Sequence, residues 1–294
     1  MAELVLVHGR SQQERIADAL KAEWLTALTD GLAKSGLTLP IPESAVHFAY
    51  YGQTLFDLVA GKTPDQAATV IIRGENAQPR EREFADSIIN EICNQLGITD
   101  AEIAALLGTN VVQRGPLNWA WVQGALKAID RRIPYASSTS LALFTNDVYH
   151  YLNNPGITKA INDGVRQAIT PGVPTVVVAH SLGTVVAYSL LRDEGAQAGW
   201  DVRLYVTLGS PLGISAIKQK LAPNKHPSCA KRWFNAMDER DVVALYPLTK
   251  RHFPVNPGIE NKTDVKNHTE NRHGIGGYLD DPVIAKTIHD ALTA

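Results

Sequence analysis

A chain of 294 residues that is 45% hydrophobic is long enough to build one large core or two smaller ones. Its 28 basic and 30 acidic residues leave a formal net charge of -2 and form no basic run, which argues against nucleic acid or an anionic lipid surface as partner. The two cysteines, Cys93 and Cys229, form neither a Cys-x-x-Cys pair nor a disulfide framework.

The start of the chain lacks the basic segment, the long apolar run and the cleavage site of a signal peptide. Apolar runs elsewhere are far shorter than the roughly 20 residues that a membrane-spanning helix needs. We therefore expect a protein without an integral membrane segment, located in the cytoplasm, where two free cysteines fit a reducing environment.

The first elements are two strands separated by a helix. Residues 4–7 are wholly apolar, as in a parallel strand buried on both faces. Apolar residues at three- and four-residue intervals from Ile16 to Leu32 predict the helix, and Gly36 provides its end. Residues 46–50 form the second predicted strand.

Residues 55–170 carry few strand signals and are predicted to be mostly helical. Phe84 and Ile88 begin a series of apolar residues at four-residue spacing. Thr99 and Glu102 form a capping-box pattern at the start of another helix. The helices are predicted over residues 79–96, 99–107, 116–131, 140–152 and 158–169. Trp119 and Trp121 are interpreted as core residues rather than as the lining of a ligand pocket.

Strands and helices alternate again towards the end of the chain. The strands are predicted over residues 175–179, 202–208, 232–237 and 259–265, and the helices over 182–192, 213–221 and 282–292. This alternation is typical of an α/β fold with a mostly parallel, doubly wound sheet. We expect residues 1–294 to form a single domain, with residues 55–170 as a cap-like helical insertion between the second strand and the third.

The strongest local motif lies where the strand over residues 175–179 meets the following helix. Ser181 occupies this junction, and a tight turn there requires small residues two positions before and two positions after it. Ala179 and Gly183 meet that requirement. Such a turn presents the serine hydroxyl at the carboxyl edge of the sheet, where α/β proteins bind ligands. The alternative interpretation is an ordinary helix-capping serine.

The sequence Ala-His-Ser-Leu-Gly at residues 179–183 resembles the nucleophile elbow of the α/β-hydrolase superfamily, in the Ala-x-Ser-x-Gly form of some bacterial lipases. Residues 4–10, Leu-Val-Leu-Val-His-Gly-Arg, resemble the strand and turn that supply part of the oxyanion hole in that family. Residues 207–213 resemble the segment after the next core strand in lipase-like members. The resemblance implies an α/β-hydrolase fold and a serine hydrolase of the esterase or lipase type.

In this superfamily the acid follows the nucleophile in the chain, and the histidine follows the acid. Asp241 is the preferred acid, because Asp-Val-Val-Ala-Leu-Tyr-Pro resembles the segment around the catalytic aspartate of lipase-like hydrolases. Asp238 is the alternative. His273 is the preferred base, because the glycines after it suggest a mobile loop and because His-x-x-x-x-Tyr-Leu also resembles lipase-like families. His268 is the alternative.

The resemblance implies a Ser181–His273–Asp241 triad acting through an acyl-enzyme, with the backbone amides of Leu182 and Arg10 as the oxyanion hole. Neither metal-ligand spacing nor a phosphate-binding glycine loop occurs, so we expect no metal and no cofactor. The expected substrate is a small-molecule or lipid-like carboxylic ester. A thioesterase, peptidase or acyltransferase could use the same residues, and a ligand-binding module without turnover could keep the fold.

Overall fold

The computed structural model of the chain describes residues 1–9, 17–51, 79–108, 119–133 and 138–294. Within these ranges the strands are β1 (Glu3–Val7), β2 (Val46–Ala49), β3 (Pro174–His180), β4 (Asp201–Leu208), β5 (Trp233–Ala236) and β6 (Glu260–Lys262). They form one six-stranded sheet in the order β2-β1-β3-β4-β5-β6. All five neighbouring pairs are parallel, so the predicted α/β class with a parallel sheet is confirmed.

The sheet is flanked by helices on both faces. These helices are α1 (Ala17–Ala33), α2 (Pro79–Gln95), α3 (Asp100–Leu107), α4 (Trp119–Arg132), α5 (Ser138–Asn153), α6 (Pro155–Arg166), α7 (Leu182–Asp193), α8 (Ser215–Lys220), α9 (Gly276–Leu279) and α10 (Pro282–Thr293). Short 3₁₀ turns occur at Glu43–Ala45 and Pro211–Gly213. None of the helices in the described part of the chain is long and apolar enough to cross a membrane.

Two hydrophobic cores lie on opposite faces of the sheet because successive strand residues alternate in direction. Val5 and Val177 face the core that α2 to α8 cover. Leu4 and Val176 face the second core, which α1, α9 and α10 cover. Burial on both faces explains why β1 and β3 consist of uninterrupted apolar residues.

The region predicted to be helical does contain helices, α2 to α6, wherever the structure describes it. Trp121 is fully buried and Trp119 packs against the same core, as their interpretation as core residues requires. The indole N–H of Trp121 donates to Asp100, which joins α4 to the start of α3. Residues 52–78, 109–118 and 134–137 lie outside the described residues.

Element boundaries differ from the prediction where a local contact decides them. Helix α6 begins at Pro155, earlier than predicted, because the Asn154 side chain accepts hydrogen bonds from the N–H groups of Gly156 and Ile157. Strand β6 is shorter than predicted, because only three of its residues pair with β5.

The prediction of a mobile glycine loop after His273 is wrong in part, because Gly276–Leu279 form the one-turn helix α9. Gly277 is required there, since an added Cβ would lie 2.1 Å from Oδ1 of Asn267.

Candidate active site

Ser181 lies between β3 and α7 in a backbone conformation that L-amino acids rarely adopt. Its φ of 54° and ψ of -128° fall outside the common allowed regions, at a cost of about 1–3 kcal/mol. The serine is almost fully buried, and its N–H donates to the carbonyl of Leu208 at the end of β4. Its hydroxyl makes no capping hydrogen bond to α7, so the interpretation as an ordinary helix cap is wrong.

The two glycines beside Ser181 allow the strand, the loop after β1 and α7 to approach closely. A Cβ at Gly183 would lie 2.4 Å from the carbonyl oxygens of both Val7 and His8. A Cβ at Gly9 would lie 2.9 Å from the Cβ of Ser181. The expectation that the turn needs a small residue at position 183 is therefore confirmed.

Three side chains that follow different strands form a hydrogen-bonded series. His273 Nε2 lies 2.8 Å from Ser181 Oγ, and His273 Nδ1 lies 2.7 Å from Asp241 Oδ2. A carboxylate only accepts, so Asp241 keeps a proton on Nδ1 and leaves Nε2 free to accept the serine proton. The sequence left open two pairs of candidates, and their preferred members, His273 and Asp241, are the ones that form this series with Ser181.

The carboxylate of Asp241 is buried and has hydrogen-bond donors on both oxygens. Oδ2 also accepts the hydroxyl of Tyr278 at 2.6 Å, and Oδ1 accepts the N–H groups of Val243 at 2.9 Å and Ala244 at 3.2 Å. Burial by itself raises the pKa of this carboxyl. Attraction to His273 when its ring is protonated, the hydrogen bond from that ring and then the other hydrogen bonds outweigh burial and hold the pKa of Asp241 below its usual value.

The alternative residues have other surroundings. Asp238 is buried, and its two oxygens accept the backbone N–H groups of Arg240 at 2.8 Å and Asn267 at 2.9 Å. Asp238 thus holds the start of the loop that carries His273. His268 has a largely exposed side chain whose Nδ1 lies 3.7 Å from Asp280 Oδ2.

Asn267, which is not among the predicted site residues, is the centre of this loop. Its amide donates to the carbonyl of Gly274 at 2.9 Å, and its Oδ1 accepts the N–H of Thr269 at 3.0 Å. The guanidinium of Arg272 donates to the carbonyl of Asn267 at 2.7 Å, and Arg272 itself has a φ of 56°. An asparagine that bonds to the backbone two residues later is a common turn signal, and the spacing Asn-His-Thr could have indicated it.

Two buried histidines adjoin the site without belonging to the Ser–His–Asp series. Burial lowers the pKa of His8 to about 4. Its Nε2 accepts the N–H of Tyr51 at 2.9 Å, so the proton of the neutral ring is on Nδ1, which donates to Gly9 at 2.5 Å. His180 places Nε2 2.7 Å from the carbonyl oxygen of His273. Burial, and then repulsion from the His273 ring when it is protonated, lower the pKa of His180 to about 3.

The predicted oxyanion hole is described only in part. Leu182 is the first residue of α7, where the helix leaves N–H groups without intrahelical acceptors. Arg10 lies outside the described residues. Within the described ranges, no group of three or more histidine, cysteine or acidic side chains is arranged to hold a metal ion.

Comparison of the chain with models of protein families, with curated proteins and with solved structures gives no match. The function is therefore inferred from the chain's own residues.

Proposed function

We propose that this protein is a serine hydrolase of the α/β-hydrolase fold that cleaves carboxylic esters. The observation that carries the proposal is the series Ser181–His273–Asp241, with hydrogen-bond distances of 2.8 and 2.7 Å. The three residues follow β3, β6 and β5, so they gather at the carboxyl edge of a parallel sheet. The strained φ of Ser181 supports the same function, because such strain is concentrated at reactive residues.

The fold supports this proposal at a coarser level. A doubly covered parallel sheet with a strand–Ser–helix junction on β3 is the frame that a nucleophile elbow requires. In the proposed architecture, residues 1–294 form one domain, and α2 to α6 belong to a cap-like insertion between β2 and β3. By the sequence resemblance, the substrate is a small-molecule or lipid-like ester.

The first half of the reaction acylates Ser181. His273 Nε2 takes the hydroxyl proton while Oγ bonds to the ester carbonyl carbon, and Asp241 stabilises the imidazolium that results. The amides of Leu182 and Arg10 stabilise the negative charge on the carbonyl oxygen. The tetrahedral intermediate then collapses, its carbon–oxygen bond to the alcohol breaks, and His273 protonates the departing alkoxide.

The second half restores the enzyme. A water molecule gives one proton to His273 as its oxygen bonds to the acyl carbon. Collapse of this second intermediate breaks the bond to Ser181 Oγ, which recovers the proton from His273. The products are one alcohol and one carboxylic acid, and neither step needs a cofactor.

The test is labelling by a fluorophosphonate probe, together with hydrolysis of short- and long-chain p-nitrophenyl esters. We expect Ser181→Ala to abolish labelling and to lower kcat/KM by at least about 10³-fold, because the nucleophile is lost. Ser35→Ala, which removes an exposed hydroxyl, is the matched control and should keep wild-type activity. A wild-type protein that neither labels nor hydrolyses any ester would refute the proposal, and labelling of Ser181→Ala would place the nucleophile elsewhere.

A further inference from the structure

The residue before Ser181 contacts the backbone of the histidine that binds Ser181. His180 Nε2 lies 2.7 Å from the carbonyl oxygen of His273, although the two residues are 93 positions apart in the chain. A carbonyl oxygen accepts hydrogen bonds only, so His180 carries its proton on Nε2 and donates it. The two imidazole rings also pack together, with centroids 4.7 Å apart and planes inclined by 37°.

The surroundings of His180 hold its ring in this orientation. The ring of Trp24 lies edge-on to the His180 ring, with the two ring centroids 6.2 Å apart, and the centroid of the Tyr278 ring is 6.0 Å from that of His180. A Cβ at Gly9 would lie 3.3 Å from Nδ1, so the loop after β1 lies against that edge of the ring. The low pKa of His180 keeps the ring neutral at physiological pH, which leaves it one N–H donor.

The hydrogen bond acts on the part of His273 that the triad does not hold. Ser181 and Asp241 contact the two ring nitrogens of His273, whereas its backbone N–H donates to Oδ1 of Asn271 at 3.1 Å. Asn271 belongs to the same loop and cannot fix that loop against the sheet. His180 is the last residue of β3, so its bond fixes the backbone of His273 to the strand that carries the nucleophile.

We propose that His180 is a positioning residue, whose Nε2–H holds the main chain of His273 so that the His273 imidazole stays within reach of both Ser181 and Asp241. This inference rests on the proposed function for its catalytic consequence. It assigns a role to the position before the serine in the Ala-x-Ser-x-Gly motif, which the turn geometry alone leaves open.

The test compares two substitutions at the same position. His180→Phe keeps an aromatic ring and removes the donor, whereas His180→Gln places an amide N–H near the position of Nε2. We expect His180→Phe to lower kcat by about 10- to 100-fold with little change in KM, because a shift of about 1 Å in a catalytic group has an effect of this size. His180→Gln should recover most of the loss.

A second readout does not depend on turnover. The proton between His273 Nδ1 and Asp241 should give a downfield ¹H NMR signal in the wild type. This signal should persist in His180→Gln and should shift or broaden in His180→Phe. A residue with a purely structural role would lower the melting temperature and leave both this signal and the kcat of the folded protein unchanged.

The proposal is overturned if folded His180→Phe keeps wild-type kcat and the wild-type signal. If that variant does not fold, His180→Met provides the donor-free comparison. If the wild type shows no hydrolysis, the proposed function fails, and the signal alone then decides whether His180 positions His273.

Discussion

At the scale of single residues, main-chain oxygen atoms rather than side chains require a glycine at position 183. The carbonyls of Val7 and His8 occupy the space that a Cβ would need. Backbone atoms cannot turn aside as a flexible side chain can, so relief of the contact would require α7 to move away from β1. Gly164 in α6 is the opposite case, because nothing lies within 4 Å of its added Cβ.

These two glycines make a matched pair of alanine substitutions. We expect Gly183→Ala to lower the free energy of unfolding by about 1–3 kcal/mol or more, because it overpacks a rigid junction. Gly164→Ala should raise it by about 0.4–1 kcal/mol, because alanine restricts the unfolded chain and favours the helix. Urea unfolding of both variants measures the difference. A Gly183→Ala variant with the wild-type free energy of unfolding would contradict the close approach of α7 to the end of β1.

The preferred aspartate, Asp241, and the alternative, Asp238, should respond differently to the same substitution. Asp241→Asn should lower kcat by about 10³–10⁴-fold, because an asparagine no longer holds His273 with its proton on Nδ1. Asp238→Asn should instead lower the free energy of unfolding by about 1–3 kcal/mol, because an amide NH₂ would face a backbone N–H. Parallel kinetics and urea unfolding test the pair, and the reverse pattern would exchange the two roles.

The sequence indicated the proposed nucleophile, Ser181, more sharply than its proposed partners because the junction of strand and helix is local. Asp238 and Asp241 are three positions apart, and the path of the chain after β5 decides which one faces His273. His180 could not have been connected with His273 by any pattern, since their contact forms only when the last loop folds against β3. Local geometry was therefore predictable, and contacts between distant segments were not.

At the scale of elements, hydrophobic spacing predicted the strands and most helices, and capping residues explain the boundaries. The capping box at the start of α3 is present as predicted: Thr99 Oγ1 accepts the N–H of Glu102 at 3.2 Å, and Glu102 Oε2 accepts the N–H of Thr99 at 2.9 Å. Helix α9 was not predicted, because its glycines favour no helix by themselves. It forms where Tyr278 and Leu279 reach the second core.

The capping box can be tested with two threonines. Thr99→Ala should lower the free energy of unfolding by about 0.5–2 kcal/mol, because the N–H of Glu102 loses its side-chain acceptor. Thr287→Ala should cause no loss, since Thr287 lies within α10 and donates to the carbonyl of Val283, where alanine is the better helix former. Equal losses in urea unfolding would show that the cap does not stabilise α3.

At the scale of the whole molecule, the fold buries two neutral histidines, His8 and His180, and this gives it a dependence on pH. Their pKa values are about 4 and about 3 in the folded protein, against 6.5 as the ordinary value. Below pH 6.5 the unfolded chain binds protons that the folded chain does not, so acidification favours unfolding. Asp241 affects stability at lower pH. Because its pKa is depressed in the folded protein, it stabilises the fold above pH 3.8, and this stabilisation is lost as the pH falls further.

We expect His8 and His180 together to lower the free energy of unfolding by about 4 kcal/mol between pH 7.5 and 5.0, about 2 kcal/mol from each. His180→Gln should reduce this fall by about half, because it removes one of the two protonation sites. Ile88→Val, a truncation in the core, should lose the same roughly 1 kcal/mol at both pH values. Urea unfolding at the two pH values tests this, and a stability independent of pH would contradict it.

The order of the strands in the sheet also affects how the chain folds during its synthesis. Strand β1 lies between β2 and β3, yet more than a hundred residues separate β2 from β3 along the chain. At about 5–20 residues per second, a ribosome needs about 6–25 s to produce that interval. Throughout this time the apolar β1 of the nascent chain lacks β3, its second neighbour. We therefore expect a chaperone that shields exposed strands to bind β1 during synthesis.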